Sequence, residues 1–235
     1  LVLELPEVHS VARADGRSVD DNEAAEFAAF AHAINAVEPA HDFIVIDTPG
    51  SDSYLMRLAH AMADTLITPL NDSFVDFDVL GRIDPESYEV TGTSHYGSLV
   101  REARRQRRLV EEGESDWIVM RNRVGQLDTR NSRNFVEGIG DLSKRLNFRV
   151  AEGLSERVVY RELFPRGLTA LDTLDEQTLG AKPNMSHLAA RHEVRALLEM
   201  LKLPIDERGR RRTNARAEWF RAAKEPLDGA DLFWE

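Results

Sequence analysis

A short apolar run, Phe43–Ile46, ends in Asp47 and is followed by Pro49 and Gly50. An apolar run between polar segments is typical of a strand buried on both faces, as the strands of parallel sheets are. Three further segments have strand character: Thr65–Pro69, Trp117–Met120 and Phe148–Val150. The sequence therefore predicts a sheet of mostly parallel strands.

Segments with apolar residues at helical spacing lie between and beyond these runs. They predict helices over residues 22–37, 133–146 and 186–201, with Ser186 as the N-cap of the last. Their apolar stripes are Phe27, Phe30, Ala31 and Ile34; Phe135, Ile139, Leu142 and Leu146; and Val194, Leu197, Leu198 and Leu201. Strands that alternate with helices predict an α/β fold of three layers, in which helices flank the sheet.

The composition narrows the class of protein. The 235 residues contain no cysteine, which excludes a thiolate zinc site and a cysteine nucleophile. No apolar run approaches the roughly 18 residues of a membrane span, and we expect a cytoplasmic protein. The formal net charge is −11, but arginines concentrate between residues 101 and 133, so an acidic chain can still present a local basic face.

Asp47 is the first candidate for chemistry. A carboxylate at the end of a strand would lie at the carboxyl edge of the sheet, where open α/β folds bind ligands. Such a group suits Mg²⁺, bound directly or through water beside nucleotide phosphates, and the flexible backbone at Gly50 would let an amide approach a phosphate. Alternatively, Asp47 only caps the next helix, and the residues alone leave both interpretations open.

Four segments, taken in order, resemble the ParA/MinD family of deviant P-loop ATPases, and most of all its MipZ branch of division-plane positioning ATPases. They are Phe43–Gly50, Ala63–Asp78, Trp117–Arg123 and Val159–Thr169. The first resembles the Walker B and switch II segment of the family. The resemblance spans residues 3–203 and implies a P-loop NTPase type of fold.

The resemblance also implies an activity and a site. Such proteins dimerise around bound ATP, hydrolyse it slowly and then dissociate, so ATP and Mg²⁺ are the implied cofactors. Asp47 would be the catalytic carboxylate that holds Mg²⁺ through water, and Pro49 and Gly50 would approach the γ-phosphate. Asn122 would recognise adenine, since an amide side chain both donates and accepts hydrogen bonds.

Partners follow from the same resemblance. The ATP-bound homodimer would bind DNA without sequence preference, contact a ParB-type centromere-binding protein and inhibit assembly of the division protein FtsZ, on the nucleoid in the cytoplasm. Candidate DNA contacts are Arg121, Arg123, Arg130 and Arg133. A second arginine group is either a solvated helix face or another phosphate-contacting patch. Its members are Arg101, Arg104, Arg105, Arg107 and Arg108.

One part of the family pattern does not occur in the sequence. There is no Lys-Gly-Gly-x-x-Lys-[Ser/Thr] phosphate loop, and no lysine precedes Lys144. We therefore expect an N-terminally incomplete chain that is inactive by itself and belongs to an active ATPase in the intact protein. The alternative is a partner-binding module without a complete nucleotide site.

The domain organisation is predicted from composition. Residues 1–204 would form the nucleotide-switch domain, and residues 205–235 a linker and a short amphipathic helix. Basic amphipathic helices can bind membranes. Acidic residues resume at Glu225, directly after this helix, so we expect it to pack against the domain or a partner and not against a membrane.

Overall fold

The structure is a computed structural model that describes residues 6–11, 18–71, 73–84, 90–110, 114–125, 130–180 and 182–203. These residues form two units. The first contains the described residues up to Ala63 and those within Ala103–Glu114; the second contains those within Asp64–Glu102 and Ser115–Leu203. The predicted tail, 205–235, lies outside the described residues, so the division at residue 204 stays a prediction.

The first unit is built on two capped helices, α1 (Val19–Val37) and α2 (Tyr54–Met62). Ser18 and Asp21 form a reciprocal capping box at the start of α1, which satisfies backbone N–H groups that have no partner inside the helix. The predicted stripe of α1 is buried against Leu58, Ala59 and Met62 of α2. The predicted helix over 22–37 is confirmed.

The run Phe43–Ile46 does not form a strand, and that prediction is wrong. No described strand pairs with this segment. Ile44 and Ile46 pack against the core of α1 and α2, whereas the intervening Val45 is 93% exposed. Burial therefore affects one face of the segment only. An apolar run specifies burial, but a strand also requires a neighbouring backbone for its hydrogen bonds.

The second unit contains a parallel three-stranded sheet in the order β1-β4-β5. Its strands are β1 (Thr65–Asn71), β4 (Asp116–Val124) and β5 (Arg149–Ser155). The three predicted strands of this region are therefore confirmed, and each continues further toward its carboxyl end. A separate antiparallel pair joins β2 (Gly81–Ile83) to β3 (Val90–Thr93).

The central strand β4 is the most buried. Trp117, Ile118 and Val119 are at most 1% exposed, because β4 has a neighbour on each side and packed layers above and below. Trp117 donates a hydrogen bond to the Thr68 hydroxyl at 3.0 Å and contacts the Phe148 ring. These contacts fix the register of the sheet.

Helices flank this sheet, which confirms the predicted α/β class. The helices of this unit are α3 (Phe74–Phe77), α5 (Arg130–Leu146), α6 (Val158–Leu163), α7 (Glu176–Leu179) and α8 (Met185–Leu201). Helix α4 (His95–Val110) begins in this unit and continues into the first. The predicted stripe of α5 is buried at every position. Of the helices in the described ranges, none has the length and apolarity that crossing a membrane requires.

Helix α8 differs from its prediction at two points. Its N-cap is Asn184, not Ser186, because the Asn184 side chain accepts hydrogen bonds from the N–H groups of Ser186 at 2.9 Å and His187 at 3.2 Å. Leu198 is 39% exposed, whereas Leu197 and Leu201 pack against the sheet.

Candidate functional site

Two asparagines lie side by side at the carboxyl edge of the sheet. Asn71 ends β1 and is paired in register with Asn122 on β4, whose other neighbour is Leu154 on β5. Asn71 is exposed and Asn122 is half-buried, so a ligand can reach both amides. This is the edge at which open α/β sheets bind ligands.

The backbone around Asn122 departs from regular sheet geometry. In the β4–β5 ladder, the register shifts both before and after Asn122. Arg123 has a φ of 51°, which is uncommon for a residue with a side chain. Gly153, on β5, has a φ of 95°, and a Cβ there would overlap the Arg121 carbonyl. Such irregularities redirect side chains and are frequent beside functional sites.

A polar network fixes the turn that follows β5. The Glu193 carboxylate, on α8, accepts hydrogen bonds from the Ser155 N–H at 3.2 Å and hydroxyl at 2.8 Å. It also accepts from the Arg157 guanidinium at 2.6 and 3.0 Å and from the Tyr160 hydroxyl at 3.0 Å. Exposure of the Arg157 and Glu193 side chains is only 19% and 17%. The Glu193 carboxylate therefore anchors the turn Ser155–Arg157 through these hydrogen bonds.

The hydrogen bonds and burial of this network shift the pKa values of Glu193 and Tyr160. Burial acts to raise the pKa of Glu193, but the hydrogen bonds from Arg157, Ser155 and Tyr160 outweigh it and leave that pKa below its ordinary value. Burial, together with the hydrogen bond to Glu193, raises the pKa of Tyr160. Glu193 is therefore ionised and Tyr160 protonated at neutral pH, which is the arrangement that keeps all of these hydrogen bonds.

A second arginine–carboxylate pair joins α8 to the opposite end of the sheet. Arg149, at the start of β5, forms a two-point contact with Asp116, at the start of β4, with Nε to Oδ1 at 3.0 Å. Its guanidinium also donates to the Met200 carbonyl at 2.6 Å. This pair lies at the amino edge, away from Asn122.

Asp47, Pro49 and Gly50 belong to the first unit, in the segment between α1 and α2, and all three are exposed. Asp47 does not cap α2, because the N-cap is Ser53, whose hydroxyl accepts from the Met56 N–H at 3.2 Å. Within the described ranges no hydrogen bond or ion pair engages the Asp47 carboxylate. The alternative role as a helix cap is therefore excluded.

The predicted site residues thus fall into two sets. Asn122 lies beside Arg121 and Arg123 in the second unit, whereas Asp47, Pro49 and Gly50 lie in the first. Among the described residues, no three His, Asp or Glu side chains come together as a metal site. A cation at Asp47 would take its other ligands from water and phosphates, which suits Mg²⁺.

The arginine candidates for DNA contact lie near the same strand end and on α5. Arg121 is half-buried and Arg123 is exposed, both near the carboxyl end of β4. Helix α5 begins at Arg130 and has the exposed Arg133 in its first turn, with no acidic residue there; the Arg130 side chain lies outside the described part. The helix dipole disfavours cations at this end, so an anion bound here would relieve the repulsion.

The five arginines of α4 do not form one surface, so the prediction of a single group of five is wrong. Arg104 and Arg107 are 5% and 6% exposed. Arg104 pairs with Glu114 at 2.9 Å, and Arg107 donates to the Met62 carbonyl at 3.1 Å and to that of Ala63. The exposed members are Arg101, Arg105 and Arg108. Their i, i+4, i+7 spacing places these three on one face.

Sequence reasoning missed Asn71 and Glu193. Asn71 follows a predicted strand just as Asn122 does, so the strand-end rule that selected Asp47 could have found it. Glu193 carries no such signal, because its partners Ser155 and Arg157 are 38 and 36 residues away along the chain.

Comparison with known proteins adds an independent finding. A protein-family model described as ATPase MipZ matches residues 1–205. No individually curated protein matches the chain.

Proposed function

Because the chain belongs to the MipZ family of ATPases, we propose that the intact protein is an ATP-dependent dimerisation switch that positions the division site. The family itself consists of ParA-like ATPases that act in division-site positioning. In the proposed cycle, ATP stabilises a homodimer and hydrolysis removes that stabilisation. The dimer would bind DNA on the nucleoid, contact a ParB-type protein and inhibit FtsZ assembly.

The observation that carries the nucleotide proposal is the pairing of Asn71 with Asn122 at an irregular carboxyl edge. Asn122 offers one amide donor and one acceptor to a planar base, which matches an adenine edge. The turn Ser155–Arg157 borders this position, since the Glu156 N–H donates to the Val124 carbonyl at 3.1 Å. Adenine recognition by Asn122 is therefore the proposed role of this edge.

Mg²⁺ and ATP are the proposed cofactors. Asp47 would hold Mg²⁺ through water, with Pro49 shaping the segment and the Gly50 amide directed at the phosphates. The exposed Asp47 carboxylate, which no described residue engages, suits a hydrated cation. When bound, Mg²⁺ neutralises charge that develops on the transferred phosphoryl group.

DNA binding is proposed for the arginines of the second unit. Arg130 and Arg133 lie at the start of α5, where backbone N–H groups and the helix dipole favour a phosphate. Arg121 and Arg123 add positive charge at the end of β4. Contacts of this kind reach the DNA backbone and carry no sequence information, in agreement with non-specific binding.

A second candidate function is a partner-binding module without catalysis. The two candidates differ in whether the intact protein binds nucleotide.

Base discrimination tests the proposed site. We expect the intact protein to bind ATP at least about tenfold more tightly than GTP, the equivalent of one well-placed hydrogen bond. Asn122→Ala should remove most of this preference, whereas Gln177→Ala, which removes an exposed amide on α7, should leave it unchanged. Equal ATP-to-GTP ratios for the unmodified protein and Asn122→Ala would refute base recognition at this edge. Failure of the intact protein to bind either nucleotide would favour the module.

A further inference from the structure

We infer that Glu193 is a positioning residue that holds the turn Ser155–Arg157 in place for contact with the nucleotide base, an inference that rests on the proposed function. Glu193 lies on α8 and would not touch the nucleotide itself. It would act through the turn that borders Asn122.

One carboxylate organises the whole turn. Five hydrogen bonds converge on Glu193, from Ser155, Arg157 and Tyr160. They engage both ends of the turn and the following helix α6. A short irregular segment normally samples several conformations, and these bonds select one.

The turn is connected to the site through the end of β4. Leu154 is the register partner of Asn122, and Ser155 is that of Val124. The Glu156 N–H donates to the Val124 carbonyl. A displaced turn would therefore disturb the strand end that carries Asn122.

Positioning by Glu193 is separable from general stability. Helix α8 is anchored to the sheet without Glu193, because Leu197, Met200 and Leu201 pack against the buried cluster of Ile118, Met120 and Ala151. The Arg149–Asp116 pair, with its bond to the Met200 carbonyl, adds a polar anchor at the amino edge. Loss of Glu193 should release the turn while the helix stays in place.

The test compares the two arginine–carboxylate pairs in the intact protein. Glu193→Ala should raise the Kd for Mg²⁺-ATP by roughly ten- to thirtyfold, as expected when charge-assisted hydrogen bonds no longer order a binding segment. The kcat at saturating ATP should stay within about twofold, because the loss of an interaction that acts on binding alone raises KM without changing kcat. Asp116→Asn disrupts the matched pair at the other edge and should leave both quantities unchanged.

Each outcome has one consequence. An unmodified protein that binds ATP, together with unchanged ATP affinity in Glu193→Ala, overturns the positioning role alone. Equal weakening by Glu193→Ala and Asp116→Asn also overturns it, because the effect would then be general destabilisation. An unmodified protein that binds no ATP overturns the proposed function as well. If Glu193→Ala does not fold, the same comparison is made with Glu193→Gln, which keeps the shape of the side chain but removes its charge. The Kd for Mg²⁺-ATP should then rise by at least about threefold.

Discussion

Asn71 and Asn122 end two neighbouring parallel strands and lie directly opposite each other in the ladder. Parallel strands place residues of equal register at the same height, so these two amides form a continuous polar edge. Beside them, the β4–β5 ladder is irregular and the turn after β5 is fixed by Glu193. The carboxyl edge of the sheet is therefore polar and has a fixed backbone.

Asp47→Ala in the intact protein should lower the rate of ATP hydrolysis by roughly 10- to 100-fold, the usual cost of losing a group that orients a metal. The free energy of unfolding should change by less than about 0.5 kcal/mol, because Asp47 is exposed. Steady-state hydrolysis and thermal unfolding measure the two quantities.

The matched control for Asp47 is Asp42→Ala, which removes another exposed carboxylate from the same segment. It should retain normal hydrolysis. Normal hydrolysis in Asp47→Ala as well would show that this carboxylate does not hold the metal.

Replacing Arg130 and Arg133 together by Ala should weaken DNA binding equally for all sequences. The slope of log K against log salt should become shallower by about 1.8, since each phosphate contact contributes about 0.9. The control removes the same charge from α4, by Arg101→Ala with Arg105→Ala, both exposed. If only the α4 variant flattens the slope, the DNA surface lies on α4 and not on α5.

Gly153→Ala should destabilise the protein by at least about 2 kcal/mol, because its φ of 95° is unfavourable for alanine and the new methyl would overlap the Arg121 carbonyl. Gly140→Ala, within α5 and with open space around its Cβ, should be neutral or stabilise by up to about 1 kcal/mol. Denaturant unfolding compares them. A Gly153→Ala variant of unchanged stability would show that the irregular backbone at this position adapts without cost.

The Glu193 network should make stability depend on pH at the acid end. Because the folded-state pKa of Glu193 lies below its ordinary value of 4.5, its contribution to stability is fully present above that value. It is lost as the pH falls through the lowered pKa. Melting temperatures measured from pH 7 downward should show the unmodified protein more stable than Glu193→Gln at neutral pH, with the difference shrinking in acid. A difference that is constant over this range would contradict an ionised Glu193 in the network.

The sequence predicted the parallel sheet from the apolar runs of β1, β4 and β5. The prediction holds because each of these strands has a neighbouring strand to pair with in the same unit. The run Phe43–Ile46 is equally apolar, yet no described strand pairs with it. The local sequence pattern indicates how much of a segment is buried. Whether that segment pairs as a strand depends on parts of the chain that are distant in sequence. The same limit applies to Arg104 and Arg107, whose burial depends on Glu114 and on the end of α2.

The candidate site was predictable to a similar extent. Asn122 follows from its position after a buried strand, together with the family resemblance. Its paired partner Asn71 follows from register, and Glu193 follows only from the packing of α8 on β5. Residues that touch a ligand can therefore be proposed from motifs, while the residues that position them require the tertiary structure.

The measurement that bears most directly on the central claim is the mass of the intact protein in solution with each nucleotide. Sedimentation equilibrium with Mg²⁺-ATP should show a dimer, and with Mg²⁺-ADP a monomer, because ligand binding shifts an assembly only through a difference in affinity between its states. Asn122→Ala should require a higher ATP concentration for the same dimer fraction. A mass that is the same with ATP and ADP, in a protein that binds both, would contradict the account of this protein as a nucleotide-dependent switch.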